Sequence, residues 1–211
     1  LKSIAKHGDV EVELPKYVNE SERKETTIIP AKLALKDEEI NRSLSIDFYA
    51  PDWEGGNLTK LIFYLFNYFG FLEDFNISNE TFFHFIYEIK RNYKQVAYHN
   101  WAHACDVTQF LSYEIKTSNA DKIFTQIELF TLLTTALCHD VNHYGYDNNN
   151  SLNSEIPLGM LFKEKAFKET HHCFVAISIL TRNESNIMAS LSPSDAKFMW
   201  NLLIKLIYST D

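Results

Sequence analysis

Residues 129–145 read LFTLLTTALCHDVNHYG, an apolar run that ends in two histidines and an aspartate. The apolar residues recur at spacings of three and four, which predicts one helix from about Thr125 to Cys138. Imidazole and carboxylate groups at the end of an apolar helix are costly to remove from water unless a partner holds them. The sequence therefore indicates a helical scaffold that presents His139, Asp140 and His143 to such a partner.

The rest of the chain has the composition of an all-α protein. Gly and Pro are scarce, at 6 and 5 residues, whereas hydrophobic residues make up 45% of the chain, and this balance favours long helices. We find no alternating strand pattern and no internal repeat. The other predicted helices span 31–42, 58–69 after Asn57, 80–93 after Ser78 or Asn79, 97–116, 168–182 and 192–211 after Ser192 or Ser194.

Two regions differ in character along the chain. Residues 1–45 are polar with clusters of charge, and we interpret them as a linker or N-terminal arm, followed by a domain over 46–211. The last helix is apolar through Leu206 and Ile207 and reaches Asp211 without a Gly, Asn or Pro to end it. We therefore expect the natural chain to continue, and an isolated 211-residue chain to be poorly soluble and poorly active.

Charge and cysteine usage exclude several classes of protein. The net charge of −8 argues against a nucleic-acid surface, which would be basic. No apolar run approaches the roughly 20 residues of a membrane span, so we expect membrane association only through segments outside this chain. Cys105, Cys138 and Cys173 follow no pairing pattern and are expected to be small core residues. This usage is typical of a reduced, intracellular protein, in the cytoplasm or at the cytoplasmic face of a membrane.

A second histidine pair, His99 and His103, lies upstream in the stretch YHNWAHA and has the same spacing of four as His139 and His143. On a helix, residues four apart share a face. One such pair is often a surface pair, but two pairs, one with an HD dipeptide, favour a metal site. Imidazole with carboxylate suits zinc, manganese or iron, and carboxylate with water suits magnesium. Without a Cys-x-x-Cys pair, an open catalytic site is favoured over a closed thiolate site.

The stretches YHNWAHA, HDVNHYG and KETHH, in this order and at this spacing, resemble the catalytic domain of the cyclic nucleotide phosphodiesterases of the HD superfamily. The resemblance covers about Leu58 to Asp211. It implies a compact multi-helix bundle, truncated at its C-terminal side. The implied reaction is hydrolysis of the 3′,5′-cyclic phosphodiester of cyclic AMP or cyclic GMP to the nucleoside 5′-monophosphate. A cyclic nucleotide is then the expected partner, and a homodimer is compatible with the family.

The same resemblance implies a role for each residue of the motifs. A metal-bridging hydroxide would attack phosphorus, and His99 would be the general acid that protonates the leaving 3′ oxygen. The implied cofactors are two divalent ions, zinc as the tighter ion and magnesium or manganese as the second. The implied site comprises the metal ligands His103, His139 and Asp140, the residues that hold metal-bound water, His143, Glu169 and Thr210, and the substrate-side residues Tyr98 and Asn148.

The chain departs from the family pattern at two positions. Asn142 stands where the family usually has Asp, and Tyr144 is also atypical. At Asn142 we expect altered support of the metal site rather than loss of metal, because that position is not a metal ligand in the family. The family's last metal-ligating Asp and its base-binding residues are expected beyond Asp211. The sequence of this chain therefore does not indicate a preference between cyclic AMP and cyclic GMP.

Some alternatives stay open at the level of sequence. For Tyr98, core packing is almost as good an interpretation as contact with substrate. For His171 and His172 we favour a structural role in a helix over metal ligation. The protein is then either a cyclic nucleotide phosphodiesterase, another HD phosphohydrolase that acts on a nucleotide or a linear phosphodiester, or a non-catalytic subunit that binds a nucleotide or a partner.

Overall fold

The computed structural model describes residues 35–53, 56–145 and 167–210. All regular secondary structure in these ranges is helical, which confirms the predicted all-α class. Three short 3₁₀ helices, Ala50–Asp52, Ala120–Lys122 and Asn183–Ser185, lie between the longer elements. The α-helices are α1 (Asp37–Ser43), α2 (Asn57–Tyr68), α3 (Phe71–Asp74), α4 (Asn79–Asn92), α5 (Trp101–Thr117), α6 (Gln126–Cys138), α7 (Phe167–Leu180) and α8 (Pro193–Tyr208).

Several of the longer helices begin at side-chain caps. The hydroxyls of Ser78 and Ser192 accept hydrogen bonds from backbone amides three residues on, and so begin α4 and α8. Thr125 and Glu128 form a reciprocal capping box at the start of α6. The prediction that Asn57 caps α2 is wrong, because Asn57 is the first residue inside that helix.

Helix α6 lies at the centre of the bundle, packed mainly against α5 and α8 and also against α7. Its first half lies in an aromatic core of fully buried rings. The ring of Phe130 on α6 lies 5.5 Å from Phe71, and Phe66 on α2 lies 4.7 Å from Phe82 on α4, measured between centroids. The other end of α6 carries the HD dipeptide, so one helix joins the hydrophobic core to the candidate site.

A buried carboxylate joins α4 to the end of α7. Glu88 on α4 accepts a hydrogen bond from Arg182 at 2.6 Å and one from Arg91 at 3.1 Å. A carboxylate this buried is stable as an ion only when it is paired in this way. The pairing fixes the position of α7, which brings KETHH towards the end of α6.

Part of the predicted arm packs against the bundle. Leu35 is buried in the core, and the Gln109 side-chain amide donates to the backbone carbonyls of Ser43 and Ser45, at 3.2 and 2.9 Å. The domain boundary at residue 45 stays a prediction, and residues 1–34 lie outside the described ranges.

The three cysteines are free and buried, as expected of small core residues. In the part of the chain that the structure describes, we find no helix both long enough and apolar enough to cross a membrane.

Candidate metal centre

Helix α6 ends at Cys138, and His139 is its C-cap residue. The chain then turns through residues 139–145, which we call the HD turn. Asn142 has φ 64° and Gly145 has φ 89°. His139 and His143 therefore do not share a helix face, although their spacing of four would place them on one face if the helix continued. The two imidazoles are brought to one site by the turn and not by helical periodicity.

His99 and His103 are also not on one helix. The predicted helix over 97–116 begins at Trp101, and the Asn100 side chain caps it by accepting hydrogen bonds from the amides of Ala102 and His103. His99 lies before this cap. Since residues before a cap are free of helical geometry, His99 can turn towards the HD turn, and its ring stacks on His143 at 4.0 Å between centroids.

The Asp140 carboxylate is the centre of the cluster. Its Oδ2 lies 3.1 Å from His139 Nε2, 3.4 Å from His103 Nε2 and 4.0 Å from His99 Nε2. Its Oδ1 lies 3.9 Å from His172 Nε2. Imidazole nitrogens from three separate segments of the chain therefore converge on one carboxylate.

Two groups in the described residues have the spacing of cation ligands. In the first, His103, His139 and Asp140, the ligand atoms lie within 4.8 Å of one another, and the same holds for the second, His99, Asp140 and His143. Asp140 belongs to both. A carboxylate with two oxygens that is shared by two ligand groups is suited to bridging a pair of ions.

The charges of the cluster stabilise one another. Burial alone would raise the pKa of the Asp140 carboxyl, but hydrogen bonds from His103 and His139 lower it well below its ordinary value. Burial alone would lower the pKa of His139, but the hydrogen bond and charge of Asp140 raise it. Burial, and next the neighbouring His99, lower the pKa of His143 to about 4. Asp140 is thus anionic and His143 neutral at neutral pH.

Backbone hydrogen bonds distinguish two kinds of histidine in the HD turn. His139 Nδ1 lies 2.9 Å from the carbonyl of Ala136, which can only accept, so Nδ1 carries a hydrogen. His139 Nε2 faces Asp140, and it can bind a cation only when the imidazole is neutral and this nitrogen carries no hydrogen. The amide of Gly145 donates to His143 Nδ1 at 2.9 Å, so neutral His143 carries its hydrogen on Nε2. In this tautomer His143 would donate to bound water, so within the second ligand group it would hold water and leave direct contact with a cation to Asp140.

The remaining predicted residues lie in different environments around the cluster. Glu169 on α7 is 6% exposed, and its Oε2 has no hydrogen-bond partner in the described structure. Thr210 lines the cavity beside the cluster. Tyr98 is 65% exposed and its ring lies 4.6 Å from that of His103, which excludes the core-packing alternative. Asn148 lies outside the described residues.

A cavity of about 360 Å³ opens beside the cluster. Its polar side includes Asp140 and three histidines, His99, His103 and His139. Leu111, Leu132 and Leu206, from α5, α6 and α8, form part of an apolar wall. A cavity of this size with convergent polar groups on one side is typical of small-molecule sites.

The two atypical residues of the HD turn have structural roles. Asn142 takes the left-handed conformation, which Asn adopts more readily than most residues. The Tyr144 ring lies under Lys94, whose Nζ is 3.1 Å from the ring centroid. A Cβ on Gly145 would come within 3.2 Å of the Val96 side chain, so this turn lies close against the segment before α5.

Sequence reasoning missed two residues at this site. The sequence favours a structural role in a helix over metal ligation for His172, and it does not indicate that this imidazole faces Asp140. Tyr93 belongs to none of the sequence motifs, and its hydroxyl donates to the carbonyl of Leu137 at 3.0 Å. Neither contact has a signal in local spacing, since Tyr93 and Leu137 are 44 residues apart.

Comparison with known proteins defines the class. Residues 98–211, just over half of the chain, match the family model of the 3′,5′-cyclic nucleotide phosphodiesterases. The chain belongs to this family, and the matched region contains every histidine of the cluster.

Relatives and solved structures agree with this assignment. The high affinity cGMP-specific 3′,5′-cyclic phosphodiesterase 9A of Mus musculus is 29% identical over 180 residues, which cover 85% of this chain and 34% of the relative. The cGMP-specific 3′,5′-cyclic phosphodiesterase of Drosophila yakuba is 30% identical over 84% of this chain and 15% of the relative. The chain thus spans about a third or less of these relatives.

The fold is that of solved phosphodiesterase domains. The phosphodiesterase domain of the RhoPDE fusion protein from the choanoflagellate Salpingoeca rosetta matches with a TM-score of 0.77 and 28% identity, over 83% of this chain and 56% of that one. LmjPDEB1, solved in complex with IBMX, matches with a TM-score of 0.73 and 30% identity, over 84% of this chain and 59% of that one. The compact helical bundle expected from the sequence is thus confirmed.

Proposed function

We propose that the full-length protein with this chain hydrolyses the 3′,5′-cyclic phosphodiester of a cyclic nucleotide to the 5′-monophosphate, with cyclic GMP as the better substrate. The observation that carries the proposal is the convergence of imidazoles on Asp140, in a chain of the phosphodiesterase family. The choice of cyclic GMP rests on relatives named as cGMP-specific. A homodimer and an intracellular location remain predictions.

The residues of the cluster fit a pair of divalent ions. Nitrogen and carboxylate donors beside an open cavity suit a tightly held zinc at His103, His139 and Asp140, and a second ion, magnesium or manganese, reached through Asp140. Such ions, when bound, would activate water and neutralise phosphoryl charge. The Nε2–H of His143, together with Glu169 and Thr210, would hold the bound water by hydrogen bonds; Tyr98 and Asn148 would contact the substrate.

His99 is the proposed general acid. Burial lowers its pKa and the charge of Asp140 raises it, with lowering as the net result. A phosphodiester anion in the cavity would raise the pKa of His99, since a nearby negative charge favours imidazolium. His99 would then give its proton to the leaving 3′ oxygen as the bond to phosphorus breaks.

Replacing His99 with Ala tests this role. We expect hydrolysis of cyclic GMP to fall about 10²-fold, because the alkoxide then leaves without a proton donor. Hydrolysis of bis(4-nitrophenyl) phosphate should fall much less, because nitrophenolate leaves without protonation. His84→Ala, on α4, is the matched control. Equal losses on both substrates would contradict the assignment of His99 as the acid.

The proposal as a whole is tested by measuring turnover of cyclic GMP and cyclic AMP, side by side, by the full-length protein with Mn²⁺. We expect turnover of both, faster with cyclic GMP, lost after chelation and restored by Mn²⁺. Turnover of linear phosphodiesters alone would favour another HD phosphohydrolase. Binding of a cyclic nucleotide without turnover would favour a non-catalytic subunit.

A further inference from the structure

The end of α6 leaves backbone carbonyls without helical partners. The carbonyl of Leu137 would normally accept from the amide of Val141, four residues on. That amide bonds instead to the carbonyl of Cys138, at 3.1 Å. The buried hydroxyl of Tyr93, which follows α4, donates to the Leu137 carbonyl at 3.0 Å. Without Tyr93 this carbonyl would be buried and unpaired.

A second side chain binds the backbone on the other side of the HD dipeptide. His172 on α7 is 2% exposed, and its Nδ1 lies 2.7 Å from the carbonyl of Val141. Because a carbonyl only accepts, Nδ1 carries the hydrogen. The His172 ring is parallel to that of His143 within 17°, at 5.6 Å between centroids. The orientation of the His172 ring is thus set by the Val141 carbonyl and by the ring of His143.

We propose that Tyr93 and His172 are positioning residues, which hold the backbone at Leu137 and Val141 and so fix the direction of the Asp140 carboxylate between them. The two hydrogen bonds come from different elements, the end of α4 and the middle of α7. The backbone that carries Asp140 can therefore turn away from His103 and His139 only if one of these two hydrogen bonds breaks. That this positioning matters for hydrolysis rests on the proposed function. The positioning itself is tested separately, by metal affinity.

Substitutions at His172 separate two ways in which it could act. Asn places an amide nitrogen near the position of Nδ1, so His172→Asn keeps the donor to Val141. Gln places its amide nitrogen near the position of Nε2, so His172→Gln loses that donor but keeps a polar group facing Asp140. Rescue by Asn and not by Gln is the result that positioning requires.

The experiment is a titration of the metal-free full-length protein with Mn²⁺ alone, followed by electron paramagnetic resonance of the free ion. We expect Tyr93→Phe and His172→Gln to raise the dissociation constant about 10–100-fold, the usual effect of losing a group that orients a ligand. His172→Asn should stay close to wild type. Ser185→Ala is the matched control, since it removes another buried hydroxyl that donates to a carbonyl, at the far end of α7.

Three outcomes of the titration would overturn the inference. Wild-type affinity in Tyr93→Phe would show that the Leu137 bond does not position Asp140. Rescue by Gln and not by Asn would assign the effect to Nε2 of His172. An equal loss in Ser185→Ala would make the effect one of general stability. If the wild type binds Mn²⁺ but turns over no cyclic nucleotide, the proposed function fails while the order of affinities still decides the inference.

Discussion

Asp140→Asn is expected to abolish the cyclic nucleotide hydrolysis of the full-length protein. The carboxylate is the shared member of both candidate ligand groups, and an amide carries no charge and offers one acceptor oxygen in place of two. Loss of a shared ligand should exceed the roughly 10–100-fold effect of losing a group that only orients one. We expect kcat/KM for cyclic GMP to fall by more than about 10³-fold.

The measurement is steady-state hydrolysis of cyclic GMP at saturating Mn²⁺, with circular dichroism to verify the fold. Asp106→Asn is the matched control, because Asp106 is an exposed carboxylate on α5 and should have wild-type activity. Asp140→Asn should lose some stability, because His103 and His139 lose their anionic partner, so the circular dichroism measurement must show that the variant is still folded at the assay temperature. Activity within tenfold of wild type would contradict the central place of Asp140.

The sequence predicts the chemistry of this site better than its geometry. Histidines and a carboxylate after an apolar helix indicate a metal-type site because these groups are costly to bury alone. The spacing of four in both histidine pairs, however, predicts shared helix faces that the structure does not have. Helix α6 ends at Cys138, where the sequence predicts, and α5 begins only after the Asn100 cap. His99, His139 and His143 therefore lie outside the helices, and the turns bring their rings together.

The places where helices end decide how the histidines are arranged. These helix ends depend on contacts with residues that are distant in sequence. The HD turn follows α6 at a point where two side chains bind the backbone. The Tyr93 hydroxyl donates to the Leu137 carbonyl, and the His172 imidazole donates to the Val141 carbonyl. Both partners come from elements distant in sequence. Periodicity therefore predicts which segments are helical, whereas the direction of Asp140 is a property of the packed bundle.

Phe130→Ala is expected to cause a large loss of stability, greater than that of any substitution at the candidate metal centre. Phe130 is fully buried on α6, with ring centroids of Phe75, Phe71 and Phe66 at 4.7, 5.5 and 6.1 Å. Truncating a buried Phe costs about 3–5 kcal/mol, because the cavity is only partly filled by relaxation. Since 1 kcal/mol shifts Tm by about 2–4 °C in a domain of this size, Tm should fall by roughly 6–20 °C.

Thermal denaturation followed by circular dichroism measures this effect, with Phe110→Ala as the matched control. Phe110 lies on α5 and is 51% exposed, so its loss should change Tm by little. Below its Tm, Phe130→Ala should retain Mn²⁺ affinity, because the hydrogen bonds that orient Asp140 lie at the opposite end of α6. Weak Mn²⁺ binding well below the Tm would contradict this expectation. It would show that a change in the aromatic core shifts α6 as a whole and so displaces Asp140.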